Sequence, residues 1–365
     1  MSGWSDEGAG DRHGRAGTAG ERPQKPLPPD WSVRPGEQRR RPQRQAGVAR
    51  PRPRWGRRIG VVLLVLLVLL VGLAVWVDRR LNRVDALPDY QGRPAATPGA
   101  DWLIVGSDSR QGLDEARRRQ LGTGQAAGRR ADTMMLLHIP RGTGKPTLVS
   151  LPRDSYVPIP GREPNKLNAA YAFGGPRLLA RTVEQVTGIR IDRYMEVGFD
   201  GFATVVDAVG GVQICPKKAM RDPMAGLDVK AGCQVVASRQ ALAYVRTRAG
   251  GRGDLDRVER QQEFLGSLIG KATSPGVLLN PFRSVPLVLR GTDAVAVDRA
   301  AHVYNLVRFP FAMRDVSGGG GVATTVPVAG GGSVPGVGSV VRWDRERALA
   351  LFEALKQDQP IPGSG

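Results

Sequence analysis

Nineteen consecutive residues, Ile59 to Val77 (IGVVLLVLLVLLVGLAVWV), carry no charge and are apolar around the whole helical circumference. At about 1.5 Å per residue such a helix spans the ~30 Å hydrocarbon core of a bilayer, whereas a helix packed on a soluble core keeps a polar face. The run is therefore expected to be a transmembrane helix. A cleaved signal peptide is the rival, but the run begins far into the chain and is followed by Asp78, Arg79 and Arg80, not by a small-residue cleavage site. Arg50, Arg52, Arg54, Arg57 and Arg58 concentrate positive charge before the run, while Asp78, Asp85 and Asp89 balance Arg79, Arg80 and Arg83 after it. The positive-inside rule then places the N-terminus in the cytoplasm and residues 78–365 outside the cell membrane. Trp55 and Trp76 stand where interfacial anchors belong.

The span divides the chain. Residues 1–58 are rich in Pro, Gly, Arg and Gln, with 14 basic against 6 acidic side chains and few aliphatic ones. Such a segment buries too little apolar surface to offset its chain entropy, so it is expected to be a disordered basic tail. It accounts for +8 of the net charge of +19, so the rest of the chain is basic in its own right. A basic surface suits nucleic acid, anionic lipid, phosphorylated substrates or an anionic wall polymer, and composition alone does not choose. Only 8 of the 53 basic residues are Lys, and that preference for Arg, with abundant Gly and Ala, is what a GC-rich genome gives. Cys215 and Cys233, the only two cysteines, lie 18 apart with no His near enough for a zinc site. A disulfide outside the cell fits best, with two free thiols as the alternative.

Beyond a Pro-containing linker over residues 78–100, Trp102–Gly106, Met134–Ile139 and Thr147–Leu151 are short apolar runs that read as buried strands. Helical patterns follow: one opened by Pro176 and closed by Gly188, one through Phe202, Val205, Val206 and Val209, one from about Asp256 to Lys271, and one from Asp344 to Lys356. Strands alternating with helices make residues 101–358 an α/β domain, with 359–365 a disordered end.

Polar residues sit directly at the strand ends. The first strand runs into Asp108, Arg130 and Asp132 lead into the second, and the third runs into Arg153. Ligands of open α/β sheets bind beyond the carboxyl ends of strands, so Asp108 and Arg153 are expected to face one cleft. Arg130 and Asp132 reach the same cleft only if their strand runs antiparallel to its neighbours. Lys166, Arg246, Arg248, Arg257 and Gln261 follow, with Arg257 and Gln261 one helical turn apart. Converging guanidinium groups bind phosphate oxygens in pairs and stay charged when partly desolvated, so this set describes a diphosphate pocket. Two Asp there would repel such a ligand unless a divalent ion joined them; Mg²⁺, or Mn²⁺, held by Asp108 and Asp132 resolves the conflict. Asp154 is read as a turn residue and His138 as structural. The apolar stripes Val183 and Val186, and Phe264, Leu265 and Leu268, fit a core better than a lipid tunnel.

At these residues the chain resembles the LytR-CpsA-Psr (LCP) family of cell-wall phosphotransferases. The likeness covers residues 103–268 and includes IVGSDSR, RADTMMLLHIP, LVSLPRDSYV, NKLNAAYAFGG, ALAYVRTR and DRVERQQEFL in order. The resemblance implies a three-layer α-β-α domain with a central mixed sheet behind one membrane anchor. It also implies transfer of a glycopolymer from a polyprenyl-diphosphate carrier, held in the membrane lipid, to a peptidoglycan acceptor. By motif match, Asp108 and Asp132 correspond to the metal-associated acids, with Arg130 beside them at the catalytic centre. Arg130, Arg153, Lys166, Arg246, Arg248, Arg257 and Gln261 correspond to the diphosphate-binding set. A transcriptional regulator is the first alternative, disfavoured because a domain outside the membrane meets no nucleic acid. A polyprenyl-diphosphate hydrolase or a plain binding protein is the second.

Overall fold

A computed structural model describes residues 55–108, 115–121, 130–247 and 254–361. The tail over residues 1–54, most of residues 109–129, residues 248–253 and residues 362–365 lie outside that set. The apolar run forms helix α1 (Trp55–Arg80), long and apolar enough to cross a membrane and starting four residues before Ile59.

The domain is built on one seven-stranded sheet. Its strands are β1 (Asn82–Val84), β2 (Ala100–Ser107), β3 (Ala131–Ile139), β4 (Thr147–Ser150), β5 (Arg193–Val197), β6 (Val295–Asp298) and β7 (Val322–Thr325), in the order β1-β6-β5-β2-β3-β4-β7. β2 runs parallel to β5 and antiparallel to β3, which is antiparallel to β4 in turn, so the sheet is mixed. The ends of β2, β4 and β5 and the start of β3 therefore share one edge.

Successive side chains of a strand face opposite sides, and each side here has its own cover. Leu103, Val105, Met134, Leu136 and Val149 pack against α3 (Leu167–Thr187) and α10 (Arg345–Lys356). Trp102, Ile104, Met135, Leu137 and Leu148 pack against α9 (Val303–Ser317), with Leu265 and Ile269 of α6 (Asp254–Ala272) beside them. This gives the three α-β-α layers. Between β5 and α6 lie α4 (Phe199–Ala208), two short ribbons and α5 (Ser238–Arg246), which form a second apolar cluster around Phe264 and Leu268. Short helix α2 (Glu115–Leu121) precedes the β3 edge, and α7 (Pro275–Leu278) and α8 (Pro281–Ala294) connect α6 to β6. One ribbon pairs Val212–Ile214 with Gln234–Val236, and its end is closed by a disulfide between Cys215 and Cys233.

Several elements differ from the sequence pattern. Residues 82–84, within the stretch read as a linker, join the sheet beside β6, Ala86 is fully buried, and Tyr90 and Arg93 both donate at 2.9 Å to Glu184 of α3. Helix α3 begins at Leu167, not Pro176; a kink at Gly174 and Gly175, the latter at φ +62°, separates the early turn from the regular helix. Only a residue without Cβ takes that conformation without strain, so the kink hid the first turn.

Candidate active site

The strand edge gathers the polar residues through the register of β2 and β3. Gly106 pairs with Thr133 and Ser107 with Ala131, leaving Asp132 as an extra residue on β3. Such a bulge turns its side chain away from the regular alternation. Asp132 thereby reaches Arg153, whose guanidinium donates to it at 2.6 Å. Arg153 also lies 3.4 Å from Asp154, and Asp154 lies 3.1 Å from the Lys166 ammonium. Asp154 is thus a bridge between two cations and not merely a turn former, a role its place next to Arg153 does not distinguish. Beside them the Arg130 amide donates to the Asp108 carboxylate at 2.6 Å and the Asp108 amide to the Arg130 carbonyl at 2.9 Å, closing the end of the β2–β3 pair.

Arg246, the last residue of α5, stacks its guanidinium 4.9 Å from the Phe199 ring centroid. Gln261 of α6 donates to the Val245 carbonyl at 3.2 Å. Arg257 falls on α6 one turn before Gln261, with its side chain outside the described set, and Arg248 lies outside the described residues altogether.

Below these groups opens a cavity of about 420 Å³. Ser107, Asp132, Arg153, Arg246 and Gln261 form its polar mouth, and Ile104, Met195, Phe202, Val205, Phe264, Leu265, Leu268, Ile269, Val295 and Phe309 its wall. The stripe Phe264, Leu265 and Leu268 is packed in the core as expected and lines the cavity as well. Val183 is fully buried against the opposite face of the sheet, with Val186 packed beside it, so that stripe is core as expected.

Glu196 on β5 escaped the sequence reading. It is 6% exposed and accepts hydrogen bonds from Ser107 at 2.7 Å, Tyr171 at 2.5 Å and Tyr194 at 2.8 Å. Because Ser107 also lines the mouth, this buried carboxylate fixes the floor of the site. His138 lies at the far edge of the sheet between Asp101 and Asp358, each 2.9 Å from one ring nitrogen. Burial alone would lower its pKa, but the hydrogen bonds and charges of Asp101 and Asp358 outweigh it and raise the value. Its place is structural and remote from the mouth.

The mouth offers the cations Arg153 and Arg246 and the carboxylate of Asp132 around an opening, with Asp108 on the adjoining antiparallel strand end and an apolar cavity behind. Among the described residues no group of three or more acidic, His or Cys side chains could hold a metal. Two carboxylates alone fit an ion completed by substrate phosphates better than one caged by protein.

The family model that matches this chain, the LytR_cpsA_psr family, covers residues 84–292. Over 299 residues the chain is 52% identical to the probable cell wall biosynthesis protein LcpB of Corynebacterium glutamicum, an alignment that spans 82% of this chain and 70% of that protein. It is 33% identical over 244 residues to the polyisoprenyl-teichoic acid–peptidoglycan teichoic acid transferase TagU of Oceanobacillus iheyensis, spanning 61% of this chain and 71% of that one. The solved LytR-Csp2A-Psr enzyme from Actinomyces oris shares the fold, with a TM-score of 0.59 at 22% identity over 76% of this chain and 96% of that one. Motif order, mixed sheet and the extent of these matches agree, and the chain belongs to the LytR_cpsA_psr family.

Proposed function

We propose that this protein is a phosphotransferase that moves a glycopolymer from a polyprenyl-diphosphate carrier onto peptidoglycan, on the outer side of the cell membrane. The observation that carries this is the cavity: an apolar chamber whose charged rim holds Asp132, Arg153 and Arg246 suits a ligand with a hydrocarbon tail and a diphosphate head. The name of the TagU relative points to the same donor and acceptor classes.

In this reading Arg130, Arg153, Lys166, Arg246, Arg248, Arg257 and Gln261 hold the diphosphate, and the prenyl chain enters the apolar chamber. Asp108 and Asp132 hold Mg²⁺ or Mn²⁺, which when bound neutralises charge on the diphosphate oxygens. A sugar hydroxyl of peptidoglycan attacks the phosphorus that carries the glycan. The bond from that phosphorus to the bridging oxygen breaks, polyprenyl phosphate leaves, and the hydroxyl proton passes to Asp108 or Asp132. Fixed cations serve such a transfer by alignment and charge stabilisation more than by covalent chemistry.

The test is the full chain in phospholipid nanodiscs with a lipid-diphosphate donor, peptidoglycan fragments and Mg²⁺. Polyprenyl phosphate is expected to appear with glycan-linked peptidoglycan, and Arg130→Ala and Arg246→Ala are each expected to slow it about 10²-fold, the scale of one lost charge-stabilising donor. Wild-type rates in both variants remove these residues from the site. Release without a peptidoglycan product marks a hydrolase. Unchanged turnover after chelation removes the metal, and protection of the C-terminus inside right-side-out cells overturns the orientation.

A further inference from the structure

Two helices present apolar faces to solvent at the anchor. On α8, Phe282 is 88% exposed and Val285 47%, with Leu279 just before the helix at 82%. On α9, Tyr304 is 67% exposed, Val307 56% and Phe311 49%. At roughly 100° per residue Tyr304, Val307 and Phe311 form one stripe, and Phe282 falls within about 20° of Asp293 at the other end of α8. Helix α9 begins where the membrane span ends, and α8 ends there. Arg80, the last residue of α1, donates to Asp293 at 3.0 Å, and Asp78 accepts from the first amide of α9, that of Val303, at 2.9 Å.

We infer that the exposed faces of α8 and α9 rest in the headgroup and upper acyl region of the phospholipid leaflet from which α1 emerges. The occupant is lipid because an ion pair and a hydrogen bond tie the two helices to a helix whose apolar span is not covered by protein. Exposed Arg283, Arg290 and Arg308 flank the stripes and meet anionic headgroups, as in interfacial amphipathic helices. The placement has a consequence for the chamber. Val295, directly after α8, and Phe309, on the opposite side of α9 from its stripe, both line the cavity. Helix α9 therefore stands between the chamber and the leaflet, with Phe309 toward the one and its exposed stripe toward the other.

This rests on α1 lying in a bilayer and not on the donor assignment. The experiment is electron paramagnetic resonance on the full chain, with its two native cysteines left paired, in vesicles of equal parts phosphatidylcholine and phosphatidylglycerol. Nitroxides are placed at Phe282→Cys and Phe311→Cys, with Met224→Cys, on a residue 98% exposed, as the aqueous reference. Labels at positions 282 and 311 are expected to collide with oxygen in preference to a water-soluble nickel chelate, inverting the ratio found at position 224. A ratio at both positions equal to that at 224 overturns the inference. Dipolar broadening between chains, with both labels shielded from oxygen as well as from the chelate, assigns the faces to a second copy and also overturns it. Lipid-embedded labels in vesicles that turn over no donor support this surface and count against the proposed activity alone.

Discussion

Glu196 shows how one buried side chain orders the rim of a cavity. Its carboxylate gathers three hydroxyls from β2, α3 and β5, which sit far apart in sequence. Glu196→Gln turns one acceptor oxygen into a donor facing those hydroxyls, and the loss is expected to be about 1–3 kcal/mol of stability, read as a lower denaturant midpoint at unchanged slope. At the far edge His138 makes a pH-dependent contribution. Two carboxylates flank its ring, so only the doubly protonated imidazolium donates to both. A histidine whose pKa is higher folded than unfolded stabilises the fold below its unfolded value of about 6.5 and loses that contribution as pH rises through the folded value. Asp358→Asn is accordingly expected to lower the thermal midpoint most in mildly acidic buffer, with the difference from wild type shrinking toward alkaline pH. A constant difference across that range would show that the ring is neutral throughout.

At the scale of elements, α8 depends on one close approach. Gly201 of α4 faces the Ala294 carbonyl, and a Cβ there would come within 1.9 Å of its oxygen. Gly201→Ala is expected to cost about 1–3 kcal/mol by overpacking and to loosen α8 first, visible as faster amide exchange in residues 281–294 than in the sheet. Strands β2, β3 and β4 were legible because compact runs such as WLIVG and MMLLHI are apolar on both faces, and the acids and Arg at their ends stood out against them, whereas β1, β5, β6 and β7 were not. Helices α8 and α9 were not, since Pro286 and Pro310 lie inside them and interrupt the pattern by which helices are recognised. The strand-end residues Asp108, Arg130, Asp132 and Arg153 were legible for the same reason as the strands. Glu196 was not: in RYMEV it reads as the solvent side of an alternating strand, and only the packing of α3 over β5 buries it. Wall and core do not separate in the sequence, because Phe264 and Leu268 pack in the second apolar cluster and line the cavity with the same side chains.

For the whole molecule the notable property is how anchor and domain join. Leu81, itself buried, is the only residue between α1 and β1, and the stretch behind β1 is held by Tyr90 and Arg93 on Glu184. Trypsin under native conditions is therefore expected to leave α1 attached to the domain although Arg79, Arg80 and Arg83 lie at the junction, an outcome read as intact membrane association of the domain after digestion. Release of a soluble domain fragment would contradict the junction described here. A domain on a flexible leash samples a volume that grows with the leash, whereas this one has none. Its mouth works at one height above the bilayer, so on the proposed function the wall strand that receives the polymer must itself come down to the membrane, and attachment is confined to the innermost layer of the wall.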